Sequence, residues 1–321
     1  MAPQGSIAIS EFMDERAVDA LRARFAVRYE PTLVDRRAEL LAALGETEAL
    51  IVRNRTQVDA ALLAAAPRLR VVGRLGVGLD NIDSAACAAR GIDVIPATGA
   101  NAQAVAEYVI CTAMLLLRGA YGASAEVGEG EWPRTRLSNG RECAGKVLGL
   151  IGFGGIGRLT ARLAKALGMQ LIAHDPALAA DAACWSELGV EPLALEALLE
   201  RADIISLHVP LDAATRHLLD ASRLARMKPG AVLINTARGG IVDEAALATA
   251  LRAGRIAGAA LDVFANEPLA AGSPLAGAPN LLLTPHVAGV TVESNERVSS
   301  LIAERVAAAL APAAGTAKGF S

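Results

Sequence analysis

The chain has 321 residues, 53% of them hydrophobic and 20% charged, with a formal net charge of −3. That excludes a disordered or collagen-like polymer and allows about two domains with sizeable cores. Basic residues are scattered, 27 Arg against 4 Lys, and aromatics are only 3%, so a nucleic-acid surface built from a basic stripe and stacking rings is excluded too.

The arginine bias reads as GC-rich codon usage, and much of the apolarity is alanine. The longest apolar run, Tyr108 to Leu117, is ten residues ended by Arg118, well short of the ~18 that a membrane span needs. Met1 to Ser10 carries no charged side chain, so no basic leader is expected. A soluble, cytoplasmic protein is expected. The cysteines (Cys87, Cys111, Cys143, Cys184) stand 24, 32 and 41 residues apart, and no close pair predicts a metal site or a redox dithiol.

Short apolar runs alternate with helical patterns, the rhythm of βαβ units and parallel sheets. Strands are predicted near 6–10, 26–30, 49–53, 71–75 and 93–96, with helices near 14–24, 36–44, 56–65 and 83–90. A long helix over 102–117 enters through Asn101, and a Gly-rich irregular stretch follows to Gly145. The rhythm then restarts, with strands near 147–151, 170–174, 203–208, 231–235, 258–263 and 281–284. A last helix over 293–310 has no partner strand behind it and would return to the first set, making that domain discontinuous. The tail from Pro312 to Ser321 is expected to fray.

The strand 147–151 runs into Gly152-Phe153-Gly154-Gly155-Ile156-Gly157 and then a helix. The next strand ends in Asp175, 18 residues beyond Gly157. This is the dinucleotide fingerprint in its proper context. Gly152 allows the tight turn, Gly154 the approach of a pyrophosphate, and Gly157 close helix–strand packing. Asp175 would accept bonds from a ribose, and no Arg or Lys among residues 176–180 awaits a 2′-phosphate. That favours NAD over NADP, the alternative being a solvated strand-end carboxylate.

At the other strand ends, Arg238, Glu267 and His286 converge where a nicotinamide would lie. Transfer of a hydride to or from a carbinol carbon also requires a proton acceptor, a task suited to histidine. An Arg would polarise the oxygen and hold a neighbouring carboxylate. Of the other histidines, His174 reads as packing or exposed, His208 as a strand-end residue near the cofactor, and His217 as structural or exposed.

The segments GRLGVGLDNID (73–83), NAQAVAEYV (101–109), GFGGIG (152–157), NTARGGIVDE (235–244), LDVFANEP (261–268) and TPHVAGVT (284–291) resemble the D-isomer-specific 2-hydroxyacid dehydrogenases. The resemblance covers nearly the whole chain, in order. It implies an α/β fold of two Rossmann-like parallel-sheet domains. An NAD-binding domain (101–289) would be inserted into a flavodoxin-like substrate domain (1–100 plus 290–321). Arg238 would orient the substrate carboxylate, Glu267 would pair with the base, and His286 would be the acid/base. Val209, Pro210, Thr215, Thr236, Ala237, Asp262 and Gly289 would border the cofactor. Gly76, Val77 and Gly78 would receive the substrate carboxylate, with Asn101 at the domain crossing. The resemblance also implies a homodimer embracing through the segment around Trp132-Pro133-Arg134, and no appended regulatory domain.

Arg53, in VRNRT (52–56), matches an arginine that phosphoglycerate-oxidising relatives use for a distal phosphate. Arg134 matches a second, brought from the partner subunit. EFMDE (11–15), RNRTQV (53–58) and GVTVESNERVS (289–299) most resemble the sulfolactate dehydrogenase branch. A second anionic group on the substrate is therefore expected, the alternative for both arginines being surface salt bridges. Two other functions stay open: a hydroxypyruvate or glyoxylate reductase, and a dinucleotide-sensing binding protein of the same fold.

Overall fold

A computed structural model describes residues 5–311; the tail expected to fray lies outside them. Chain contacts divide it into two compact units, one taking residues up to Asn101 and from Val290 onward, the other Ala102–Gly289.

The first unit holds five parallel strands, β1 (Ser6–Ile9), β2 (Ala26–Tyr29), β3 (Ala49–Val52), β4 (Val71–Arg74) and β5 (Asp93–Pro96), in the order β2-β1-β3-β4-β5. Successive side chains of a strand face opposite ways. Thus Ile7, Ile9 and Val71 join one core while Ala8, Leu50 and Val72 join the other. The first core is closed by the helix Val292–Leu310, which contributes Val298, Ile302, Val306 and Leu310. Gly73 permits its close approach, since a Cβ there would meet Ile302 and Val306 methyls at 2.8 Å. Asp14, Asp59 and Asp83 cap three helices of this unit, each accepting a backbone N–H of the first turn.

The second unit holds seven parallel strands: β6 (Val147–Ile151), β7 (Gln170–His174), β8 (Glu191–Pro192), β9 (Ile204–Leu207), β10 (Val232–Asn235), β11 (Gly258–Leu261) and β12 (Leu281–Leu283). Their order is β12-β11-β10-β9-β6-β7-β8. The order reverses at β6, and it is beyond the carboxyl ends of the strands at such a reversal, here β6 and β9, that sheets of this kind receive ligands. Strands β9, β10 and β11 are buried throughout, as parallel strands covered on both faces must be. The helix Ala102–Arg118 buries Val109, Ala113 and Leu117 in this unit's core, which accounts for the apolar run there. Among the described residues no single helix is long and apolar enough to cross a membrane.

The α/β class and the two parallel sheets agree with the sequence reading. Strand β8 was not predicted: it is two exposed residues with a proline at the sheet edge, where no apolar alternation marks it. The stretch after Arg118 also carries short helices, Ser124–Gly128 and Arg134–Leu137.

Candidate active site

The loop after β6 is built from glycines with different tasks. Gly152 has φ +93°, and a Cβ there would lie 2.6 Å from the His208 carbonyl. The turn therefore touches the end of β9 at the point where the strand order reverses. At Gly157 a Cβ would stand 2.5 Å from the Gly152 carbonyl, so the helix Gly155–Ala166 seats directly on the turn. Gly154 and Gly155 face open space, and Gly154 caps the helix without a side chain. The first-turn amides of that helix are thus available to an anion.

Phe153, between these glycines, is fully buried and stacks on Trp185 at 4.7 Å between ring centroids. Arg158 donates from Nε to the Phe153 carbonyl (2.9 Å). Asp175, at the end of β7, accepts from the Phe153 amide (2.8 Å) through one oxygen and the Ala177 amide (3.0 Å) through the other. A carboxylate offers about four acceptor sites, so ribose hydroxyls would still find room on Asp175.

His286 follows β12 in the left-handed region, φ +56°, an uncommon conformation for a residue with a side chain. Backbone contacts hold it there, its N–H reaching the Asp262 carbonyl at 2.8 Å. The buried Asp262 carboxylate accepts from the Thr284 hydroxyl (2.6 Å) and from the amides of Val287 and Ala288 (each 2.8 Å). One carboxylate thus grips the chain on both sides of His286. The imidazole is partly exposed, and its Nδ1 lies 2.8 Å from Glu267 Oε2. The other Glu267 oxygen accepts from the Phe264 amide at 3.1 Å. With Nδ1 engaged by a carboxylate, Nε2 remains to exchange a proton.

Arg238 sits just beyond β10. Asn235 pins its loop, donating to the Arg238 carbonyl (2.9 Å) and accepting from the Ala237 amide (3.0 Å). Gly239 presses on the 264–265 backbone so closely that a Cβ would collide with the Phe264 carbonyl. Ala237 is buried, and the buried Thr236 hydroxyl has no hydrogen-bond partner among the described residues. That hydroxyl, with the open space at Gly154 and Gly155, fits a dinucleotide lying across the strand ends. Thr215 closes its own turn, bonding to the Pro210 carbonyl and the Asp212 amide. Val209 packs on the core, and Gly289 ends the second unit.

In the first unit, Gly76 follows β4 and Val77 is exposed. Gly78 continues that loop, and Asn101 has a buried side-chain oxygen without a hydrogen bond. Arg53 is half-buried and Arg134, in the second unit, is exposed; neither forms a salt bridge among the described residues. All four cysteines are free thiols.

Residues 110–288 match the model of the D-isomer specific 2-hydroxyacid dehydrogenase, NAD binding domain. The chain is 56% identical to the (S)-sulfolactate dehydrogenase of Chromohalobacter salexigens, over 95% of this chain and 98% of that one. The chain belongs to the D-isomer-specific 2-hydroxyacid dehydrogenase family. It is 44% identical to the D-3-phosphoglycerate dehydrogenase of Mycobacterium tuberculosis, over 86% of this chain but about half (51%) of that longer one. The glyoxylate reductase of Paecilomyes thermophila superposes with a TM-score of 0.83 at 30% identity, covering 97% and 96% of the two chains. As a member of this family, the chain is an NAD-dependent oxidoreductase acting on 2-hydroxyacids. The reading as a binding protein without turnover is not favoured.

Three residues of this dehydrogenase escaped the sequence reading. Tyr108 bonds the Thr284 hydroxyl at 2.6 Å, extending the chain of contacts that ends on Asp262. Burial raises the Tyr108 phenol pKa, so it stays protonated. Glu244 accepts from the Ala265 amide at 2.6 Å and braces the segment leading to Glu267. Capping position alone could have flagged Glu244, which follows the cap residue Asp243; Tyr108 and Thr284 carry no such local signal.

Proposed function

We propose that this dehydrogenase interconverts a small 2-hydroxy acid and its 2-oxo acid, one bearing a second anionic group of the 3-sulfolactate or 3-phosphoglycerate type. Bound NAD would supply the hydride chemistry at C2, as oxidant of the hydroxy acid or, as NADH, as reductant of the oxo acid. His286 takes the hydroxyl proton at Nε2 in oxidation and returns it in reduction. Glu267 fixes the ring through Nδ1 and stabilises the charge that the ring gains. Arg238 would bind the substrate carboxylate and polarise the C2 oxygen. In the first unit, the Gly76, Val77 and Gly78 loop is suited to an anionic group through the Val77 and Gly78 amides, since the Gly76 N–H already donates to the Arg74 carbonyl at 2.8 Å. Residues 101–289 would form the nucleotide domain, where Asp175 would accept from ribose hydroxyls and Thr236 and Asp262 would border the cofactor, and the remaining chain would form the substrate domain. Asn101 marks the crossing.

The observation that carries the substrate class is Arg53, a half-buried guanidinium that no carboxylate pairs with among the described residues. An arginine held this way leaves its charge for a ligand. Arg134, exposed on the other unit, would add a second cation from a partner subunit. The free thiols support a reducing, cytoplasmic setting.

Charge-assisted contacts are worth roughly 1.5–3 kcal/mol, about ten- to a hundred-fold in kcat/KM. We expect 3-sulfolactate or 3-phosphoglycerate to exceed lactate and glycerate by at least that factor, and Arg53→Ala to collapse the ratio. Lactate matching the dianions in the parent enzyme would overturn the proposal.

A further inference from the structure

The loop after β3 is moulded around one carboxylate. Glu11 is 4% exposed, and its Oε1 accepts the amides of Arg53 (2.8 Å) and Thr56 (3.0 Å) while Oε2 accepts that of Arg55 (3.1 Å). Asn81 ties the same loop from the other side, donating to the carbonyl of Thr56 at 2.7 Å and to that of Arg53 at 3.3 Å. Ser10 and Thr56 hydroxyls bond at 2.9 Å. The backbone of Arg53 is therefore fixed, and the nearest carboxylate is spent on backbone amides rather than on the guanidinium.

The Arg53 head group touches two neutral groups. Its Nη2 donates to Asn295 Oδ1 at 2.7 Å, and it lies over the Phe12 ring, 5.8 Å from the centroid. Burial lowers the Arg53 pKa while Glu11 works against that shift, and an arginine keeps its proton under such pressure. Asn295 is itself held rigidly. It stands in the first turn of Val292–Leu310, just after a reciprocal capping box between Thr291 and Ser294.

We infer that Asn295 is a specificity-determining positioning residue: a neutral amide that aims the Arg53 guanidinium and leaves its charge to the distal anion of the substrate. The inference rests on the reading of Arg53 as the receptor of that anion. A carboxylate in the same place would hold the guanidinium equally well but neutralise it, and a sulfonate or phosphate would then have to displace an internal ion pair. Phe12 supports the arrangement with a ring face that orients a guanidinium without cancelling its charge.

The test is Asn295→Asp, assayed with NAD on 3-sulfolactate and 3-phosphoglycerate against lactate and glycerate, with Arg53→Ala and the double variant in parallel. An acidic residue in the first turn of a helix favours the helix, so the thermal midpoint should not fall. The ratio of kcat/KM between dianions and lactate should drop about ten- to a hundred-fold, mostly through KM. On the Arg53→Ala background the same change should add nothing, which a merely structural role would not produce. Asn295→Leu, nearly isosteric and uncharged, should give an intermediate loss and serves if the Asp variant does not fold. If Arg53→Ala collapses the ratio while Asn295→Asp and Asn295→Leu leave it intact, the role of Asn295 is refuted and that of Arg53 stands. If Arg53→Ala leaves the ratio intact, both fall together.

Discussion

His286 is held in a conformation that its own backbone disfavours, with Asp262 fixing its N–H and its neighbours Thr284, Val287 and Ala288, and Glu267 fixing its ring. Such an arrangement places Nε2 without the ring having to search for its orientation. Positioned proton transfer is worth about 10²–10⁴ in rate, so His286→Ala should lower kcat by that factor while the Kd for NADH, measured by fluorescence titration, stays near the parent value. Unchanged turnover would remove His286 from the reaction. Asp175 presents a different residue-scale question, since both of its oxygens already serve backbone amides. Those bonds fix an anion at the end of β7, with no Arg or Lys in the next five residues to offset it. A 2′-phosphate would meet like charge there, at a cost of about 1.5–4 kcal/mol in a partly solvated site. We expect kcat/KM for NAD to exceed that for NADP at least tenfold, and Asp175→Ala to narrow the gap. Equal values in the parent enzyme would mean that the carboxylate does not face the ribose.

At the scale of elements, what the sequence makes legible is what short range determines. The parallel strands announce themselves because burial on both faces leaves continuous runs such as VLGLI at β6 and VLIN at β10. The glycine loop is equally local, its six residues carrying the turn, the open space and the helix contact. Glu267 and His286 are 19 residues apart and each stands in a recognisable motif. By contrast Tyr108 and Thr284 are 176 residues apart, and Arg53 and Asn295 are 242 apart. Only tertiary packing brings such pairs together, and neither period nor propensity encodes it. The end of β9 supplies a further test. His208 bonds Ser206 at 3.0 Å, and burial pushes its pKa down to about 4. The unfolded chain takes up a proton there near pH 6.5, which the folded state refuses until about pH 4. Stability should therefore fall as pH drops through that window. Thermal midpoints across it should decline less steeply in His208→Gln; parallel slopes would show that this burial does not oppose protonation.

On the scale of the whole molecule, the segment between Arg118 and Gly145 exposes Tyr121, Val127 and Trp132, the last 78% accessible. Isolated apolar side chains are ordinary on a surface, and three of this size on one short segment are surface that a partner could cover. Together with the embracing dimer that the resemblance implies, this leads us to expect a homodimer by sedimentation at micromolar concentration. A particle of a single chain's mass would contradict that expectation and leave Arg134 without a role in the neighbouring subunit. The discontinuity of the first unit has a consequence in time. Its sheet is complete once β5 has been made, yet Ile302 and Val306, which cover Gly73, belong to a helix that begins at Val292. Each buried aliphatic side chain of that helix is worth about 1.5–3 kcal/mol, and none is available while the chain is still being synthesised through the second unit. On the ribosome, the nucleotide-binding half would thus mature first, and the half that was begun earliest would be the last to close.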